Sequence, residues 1–200
     1  LDYLGESAIG LWHYENEPRV EHWQAEPFPY HGAYCGDVDL TGWRKPISHY
    51  RDMLWNVEEG AADVYLAVRE PDYYVNGHVT ETMWSVWPTW ESWNWRGWEG
   101  KDIEAEIYTK APKVRLYLND KLIAERDVNI DTQYKAVIKL PYQPGTLKAV
   151  SVDANGKEMA ESTLRTSSEP AAIRLTPDRK HIDADGQDLA FIMVDVVDKD

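Results

Sequence analysis

The side chains of this sequence that could most directly do chemistry are tryptophans crowded into one short segment. Six of the ten tryptophans lie there: Trp84, Trp87, Trp90, Trp93, Trp95 and Trp98. Indole offers a flat apolar face and one N–H donor, so it can stack on the C–H face of a sugar ring or hold one domain against another. Pro88 and Gly97 interrupt the segment, and no period of 2 or 3.6 runs through it. Two interpretations therefore stay open: the segment stacks on a sugar, or it packs between two domains. An interface between domains could also border a sugar site.

The other reactive side chains form no recognisable motif for a metal or a phosphate. Asp37 and Asp39 are spaced as in the start of a calcium loop, but the later ligands and the closing glutamate are missing. The six histidines are scattered, and none has zinc-finger spacing. Cys35 is the single cysteine, and the simplest role for it is that of a small buried side chain. The residues therefore predict no metal site and give no sign of a cofactor.

Composition narrows the classes of partner. A net charge of −14 argues against nucleic acid, because phosphate backbones are bound by clustered Lys and Arg. The same charge is compatible with a neutral ligand. No apolar run approaches the length of a membrane span, so we expect none. The hydrophobic content of 43% is enough to form a core.

Residues 1–58 read as one strand end, a long polar and aromatic loop, and one helix. Pro46 suits the first turn of that helix, and its apolar face carries Ile47, Tyr50, Leu54 and Val57. A single βα unit buries too little surface to be stable alone. We therefore expect it to be the last unit of something larger, and we expect the tryptophan segment to pack against it.

Residues 59–167 change to a period of 2, which is typical of half-buried strands. The predicted strands centre on residues 64–68, 103–107, 114–118, 122–124, 134–140, 147–152 and 159–164. Asn119-Asp120 and Asn155-Gly156 are turn signals between strands. Short strands at this spacing predict an antiparallel β-sandwich. After a linker at 166–170, residues 168–200 contain the first strands of a second sandwich, whose remaining strands we expect to lie elsewhere in a longer polypeptide.

Three stretches together resemble the carboxyl-terminal half of glycoside hydrolase family 2 enzymes of the β-galactosidase type. The first is Leu1-Asp-Tyr-Leu-Gly-Glu6, which is similar to the end of the eighth barrel strand. The second runs from His31 to Trp55 and is similar to the last loop and helix of the barrel. The third, Ser92-Trp-Asn-Trp95-Arg-Gly97, is similar to the start of the immunoglobulin-like domain that follows, except that this chain has Trp98 where the family often has His.

The resemblance implies a mixed fold: the last βα unit of a (β/α)8 barrel, an immunoglobulin-like antiparallel β-sandwich, and the start of a second β-sandwich. It also implies a retaining glycosidase in which two glutamates, on the fourth and seventh barrel strands, cleave a terminal β-galactoside. Both would precede Leu1, so we expect no catalytic residue in this chain, and we expect it to be inactive alone. Asp2, Tyr3 and Glu6 would lie at the mouth of the barrel and could contact the substrate, or they could simply stabilise the following loop.

The expected partners are a carbohydrate substrate and the remainder of the parent chain. The alternative to an enzyme fragment is a non-catalytic carbohydrate-binding β-sandwich module, which would have no use for the βα unit at 1–58. The sequence does not distinguish galactosides from glucuronides or mannosides, and it leaves the oligomeric state open. A periplasmic or secreted bacterial location is the expectation, with the cytoplasm as the alternative.

Overall fold

The structure is a computed structural model that describes residues 37–38, 44–55, 63–74 and 88–199. It contains one described helix, α1, Pro46–Trp55. The strands are β1 Val64–Arg69, β2 Thr89–Trp90, β3 Asp102–Thr109, β4 Lys113–Leu118, β5 Lys121–Asp127, β6 Lys135–Pro141, β7 Thr146–Val152, β8 Glu158–Arg165, β9 Ala172–Pro177 and β10 Ile192–Val197. The chain divides into two compact units, Leu1–Arg165 and Thr166–Asp200.

The first unit is built on an antiparallel β-sandwich. One sheet has the strand order β2-β1-β3-β6 and the other has the order β5-β4-β7-β8. Their inner faces form the core, made by Leu66, Val68, Ile103, Ala105, Ile107, Ala136, Ile138, Leu140, Val114, Leu116, Leu118, Leu147, Ala149 and Leu164. Each large apolar side chain buried in this way stabilises the fold by about 1.5–3 kcal/mol. The antiparallel β-sandwich predicted from the period of 2 is confirmed.

Turns between the strands follow the local sequence signals. Asn119 and Asp120 both have positive φ, at 49° and 63°, as a two-residue hairpin turn with the twist of the flanking strands requires. The Asn119 side chain accepts a hydrogen bond from Thr146 N at 2.9 Å, which ties this turn to the start of β7. At the next hairpin, Asp153 Oδ1 accepts hydrogen bonds from the backbone N–H groups of Asn155 and Lys157, each at 2.8 Å.

The outer face of β3 is buried as well as its inner face. Tyr108 is 1% exposed and Glu106 is 4% exposed, although both alternate with the core residues Ala105 and Ile107. Helix α1 packs over this face. Its His49 ring stacks on Tyr65 at 4.3 Å between ring centroids, and Tyr65 stacks on Tyr108 at 5.9 Å. Strand β3 is therefore covered on both faces at Glu106 and Tyr108, whereas the outward residues of β6 in the same sheet stay exposed.

Two hydrogen bonds also connect helix α1 to the sandwich. The Tyr50 hydroxyl donates to the Gln133 carbonyl oxygen at 2.7 Å, and Lys110 Nζ donates to the Leu54 carbonyl oxygen at 3.0 Å. The second contact places a cation at the carboxyl end of the helix, where the helix dipole favours positive charge. The helix starts at Pro46 as predicted and ends at Trp55, before the predicted Val57, which lies outside the described residues.

The second unit contains a two-stranded ribbon, β9 paired with β10. Ile173 pairs with Val196 and Leu175 pairs with Val194, so these side chains share one face, and all four are exposed. The opposite face carries an ion pair between Arg174 Nη2 and Asp195 Oδ2 at 3.1 Å, together with the apolar side chains of Ala172, Met193 and Val197. Among the helices of the described residues, none is long and apolar enough to cross a membrane.

Candidate functional site

The residues predicted to touch substrate, Asp2, Tyr3 and Glu6, lie outside the described residues, as do Trp84 and Trp87. The structure does describe the later part of the tryptophan segment, from Pro88 to Gly100. It separates the tryptophans of this part into two that are buried in the sandwich and two that border its surface. The sequence could not make this separation, since all four are the same residue type in an irregular stretch.

Trp93 and Trp95 belong to the sandwich core. Trp93 is 0% exposed and Trp95 is 4% exposed. The Trp93 ring meets Tyr142 edge-on at 4.9 Å, and its indole N–H donates to the Gln143 carbonyl oxygen at 3.0 Å. The Trp95 backbone N–H donates to the Tyr142 hydroxyl at 3.1 Å. Both residues belong to the core cluster formed by the two sheets. Most of residues 1–58 lie outside the described residues, so for Trp93 and Trp95 the packing of the tryptophan segment against 1–58 stays a prediction.

Trp90 lies at the sheet edge with its ring 44% exposed. It pairs with Val68 across β1 and β2, and its indole N–H donates to Glu70 Oε2 at 2.9 Å. Glu70 is buried, so the hydrogen bond satisfies a carboxylate oxygen that would otherwise be costly to bury. The bond holds the indole ring in one orientation at the surface.

Trp98 lines a cleft of about 230 Å³ at the end of the same sheet. Its indole N–H donates to the Asp102 carbonyl oxygen at 2.9 Å, and the Lys101 ammonium group lies 4.3 Å from the ring centroid. The Tyr74 ring meets it edge-on at 5.9 Å. The cleft is lined by Arg69, Glu70, Pro71, Asp72, Trp98, Asp102, Ile103, Glu104 and Lys139.

A second cleft, of about 410 Å³, lies between helix α1 and the sandwich. His49, Asp52, Asp63, Tyr65 and Glu161 are among its lining residues. Burial is the main cause that lowers the pKa of His49 below its usual value, with the Arg44 charge acting in the same direction. Both causes favour the neutral form of its imidazole.

No metal centre is formed by the described side chains. Within residues 37–38, 44–55, 63–74 and 88–199, no three His, Cys, Asp or Glu side chains come together in a group that could hold a metal ion. Both clefts are concave surfaces that combine aromatic and charged groups, which a ligand could use.

Known proteins are similar to this chain in amino-acid sequence and in fold. Residues 100–160 match a family described as a domain of unknown function, DUF4982. Beta-galactosidase BoGH2A from Bacteroides ovatus is 30% identical over 179 residues, which cover 87% of this chain and 18% of that protein.

Solved structures of glycoside hydrolase family 2 proteins are also similar to this chain. A glycosyl hydrolase family 2 member from Bacteroides cellulosilyticus is 34% identical with a TM-score of 0.73, over 82% of this chain and 21% of that one. A beta-glucuronidase from glycoside hydrolase family 2 shares the fold with a TM-score of 0.59 and 23% identity, over 82% of this chain and 14% of that one. The chain thus spans about a fifth of the length of its first relatives.

Proposed function

Starting from the resemblance to glycoside hydrolase family 2, which the comparisons confirm over most of the chain, we propose that this chain is the carboxyl-terminal part of a retaining exo-glycosidase that hydrolyses terminal β-galactosides. The observation that carries the proposal is the 30% identity to a β-galactosidase over 87% of the chain. The parent protein is then a glycoside hydrolase, and this segment supplies barrel closure and accessory domains.

The proposed domains follow from that assignment. Residues 1–58 are the end of the catalytic (β/α)8 barrel, 59–167 an immunoglobulin-like β-sandwich, and 168–200 the start of a second one. The boundary at 58 rests on the resemblance, since ring contacts hold helix α1 and the sandwich together in one compact unit. The exposed apolar face of the ribbon at 172–197 supports the last domain, since such a face needs an opposing sheet.

The chemistry is placed outside this chain. In a retaining glycosidase one carboxyl group protonates the leaving oxygen while a second, about 5–5.5 Å away, attacks the anomeric carbon. We place both glutamates before Leu1. Asp2, Tyr3 and Glu6 then lie at the carboxyl end of the last barrel strand, where substrate is bound in barrels of this type, and their polar groups would hydrogen-bond sugar hydroxyls.

The alternative function is a non-catalytic carbohydrate-binding β-sandwich module that uses the tryptophan segment as its platform. Burial of Trp93 and Trp95 counts against it, because rings enclosed between two sheets cannot stack on a sugar. The half-exposed Trp90 and the partly exposed Trp98 are the observations in its favour. Export from a bacterial cell is the location we propose, by analogy with enzymes that degrade polysaccharides.

The test compares the 200-residue chain with the parent polypeptide extended before Leu1. We expect the extended protein to hydrolyse 4-nitrophenyl β-D-galactopyranoside, and the 200-residue chain to show no rate above buffer. The glucuronide and mannoside analogues determine which sugar is cleaved. Hydrolysis by the 200-residue chain alone, or no hydrolysis of any of the three by the extended protein, would overturn the proposal.

The substrate contacts are tested in the extended protein. Asp2→Asn and Glu6→Gln should each lower kcat/KM by about tenfold or more, as expected for a lost hydrogen bond to a charged group. Glu15→Gln, in the long polar loop predicted for residues 1–58, is the matched control and should leave kcat/KM within about twofold. Equal effects of all three variants would mean that Asp2 and Glu6 only stabilise the loop.

A further inference from the structure

We propose that the cleft beside Trp98 is an accessory binding site for one neutral pyranose ring. The site lies in the β-sandwich at the junction of β1, β3 and β6. It does not depend on the catalytic assignment above, because sugar binding here requires no residue before Arg69.

The walls of the cleft have the mixed character that a sugar ring requires. Pro71 and Ile103 line the cleft but are buried, so the apolar surface that a ligand can reach is the partly exposed indole of Trp98, on the side away from the Lys101 ammonium group. The C–H face of a pyranose can rest on such a surface. The carboxylates of Asp72 and Glu104 border it and offer acceptors for hydroxyl groups.

The volume of the cleft fits a single sugar ring. Drug-sized ligands occupy pockets of about 300–1,000 Å³, and this cleft, at about 230 Å³, is smaller. A monosaccharide, or the terminal residue of a longer glycan, matches it better than an oligosaccharide lying along the surface.

The groups that would contact the sugar are already held in place. Arg69 donates from Nε to Glu106 Oε2 at 2.6 Å and from Nη1 to Glu104 Oε2 at 3.3 Å. Lys139 Nζ lies 3.2 Å from Asp102 Oδ2. The Trp98 ring is fixed by its own N–H bond to the Asp102 carbonyl oxygen. Binding therefore costs little side-chain ordering.

The charges favour a neutral ligand. Both cations of the cleft pair with carboxylates, and the chain carries a net charge of −14, so a negatively charged sugar would be repelled. A ligand of about twelve heavy atoms in a shallow site of this kind binds with a dissociation constant on the order of 1–10 mM.

The experiment is an NMR titration of the ¹⁵N-labelled 200-residue chain with methyl β-D-galactopyranoside, methyl β-D-glucopyranoside and sodium D-glucuronate. We expect saturable shifts of the Trp98 indole N–H and of the Gly97 and Gly100 amides with at least one neutral glycoside, and weaker shifts with glucuronate. The Trp98 signal is assigned by its absence in Trp98→Phe.

Two variants and one control locate the binding. Trp98→Ala and Asp72→Ala should each weaken binding at least tenfold, whereas Trp55→Ala removes an exposed indole that does not line the cleft and should change it less than twofold. Amide dispersion shows whether each variant is folded, and Asp72, which is only half-buried, can be changed without opening the core. No saturable shift at 50 mM of either neutral glycoside, or binding that survives both cleft variants, would overturn the proposal. Tighter binding of glucuronate would overturn the assignment to a neutral ring.

Discussion

Glu106 brings together the polar groups beneath helix α1. Its Oε2 accepts from Arg69 Nε at 2.6 Å, its Oε1 accepts from the Tyr108 hydroxyl at 3.0 Å, and Lys135 Nζ lies 3.6 Å from Oε1. The Lys135 ammonium group also lies 4.2 Å from the Tyr50 ring centroid. The burial cost of this carboxylate is thus offset by two cations and a hydroxyl.

Removal of the Glu106 carboxylate should be strongly destabilising. Glu106→Ala leaves Arg69 and the Tyr108 hydroxyl without their shared acceptor, so we expect the free energy of unfolding to fall by about 3 kcal/mol. Denaturant titration followed by far-UV circular dichroism measures the change. Glu125→Ala is the control, because Glu125 pairs with Arg115 at an exposed edge strand and its loss should have little effect. Equal losses of unfolding free energy in both variants would show that the contacts of Glu106 stabilise the fold no more than an exposed ion pair does.

Tyr108 should make the protein sensitive to alkali. Burial first, and then the charge and hydrogen bond of Glu106, raise the pKa of Tyr108 far above its usual value of 10. Above pH 10 the unfolded chain releases this proton and the folded chain keeps it, so stability is full below pH 10 and falls as the pH rises. We expect the stability of Tyr108→Phe to fall less steeply between pH 10 and 12. Tyr117→Phe, which removes a less buried tyrosine from the other sheet, should flatten the profile less.

At the scale of elements, helix α1 and the sheet are joined by aromatic rings rather than by an aliphatic core. Tyr50 contacts Tyr108 at 5.0 Å between centroids, and its hydroxyl reaches the Gln133 carbonyl oxygen. Trp55, at the other end of the helix, is 72% exposed. Tyr50 and Trp55 of this helix thus have different surroundings.

The helix should loosen when its ring contact is removed. In Tyr50→Ala we expect amide hydrogen exchange across residues 46–55 to accelerate about tenfold or more, since local opening no longer breaks the contact with the sheet. Trp55→Ala should leave those exchange rates unchanged. Acceleration in both variants would indicate a loss of helix propensity instead of a lost docking contact.

Strand positions could be predicted from the sequence because they depend on local pattern. The alternation at 103–107 and 135–140 and the Asn119-Asp120 turn specify strands and a hairpin without reference to distant residues. The same pattern shows that Glu106 and Ile107 face opposite ways, but it does not show that a helix covers the face of Glu106. Nor does it distinguish Trp93, which fills the core, from Trp98, which borders a cleft. Both distinctions arise from contacts between residues far apart in the sequence.

At the scale of the whole molecule, the second unit presents an apolar face to solvent. Ile173, Leu175, Val194 and Val196 form it. Contiguous apolar surface of this kind marks an interface that another surface normally covers. The proposal that residues 168–200 begin a second sandwich predicts that further strands cover it.

The apolar face should be detectable with a hydrophobic dye. We expect the 200-residue chain to bind 8-anilinonaphthalene-1-sulfonate, and Leu175→Asp with Val194→Asp to reduce the fluorescence at least twofold. Thr176→Asp changes the opposite face of β9 and is the control. Unchanged fluorescence in the double variant would mean that the dye binds elsewhere.

The two-sided burial of β3 has a consequence for how such proteins can be recombined during evolution. A β-sandwich with a polar outer surface can be moved between genes as an independent cassette, because nothing in it depends on its former neighbour. This one carries Glu106 and Tyr108 beneath a helix from the preceding segment. Transplanted without residues 46–55, it would expose a carboxylate network and stacked rings fitted to a missing companion. We therefore expect the helix and the sandwich to be inherited together.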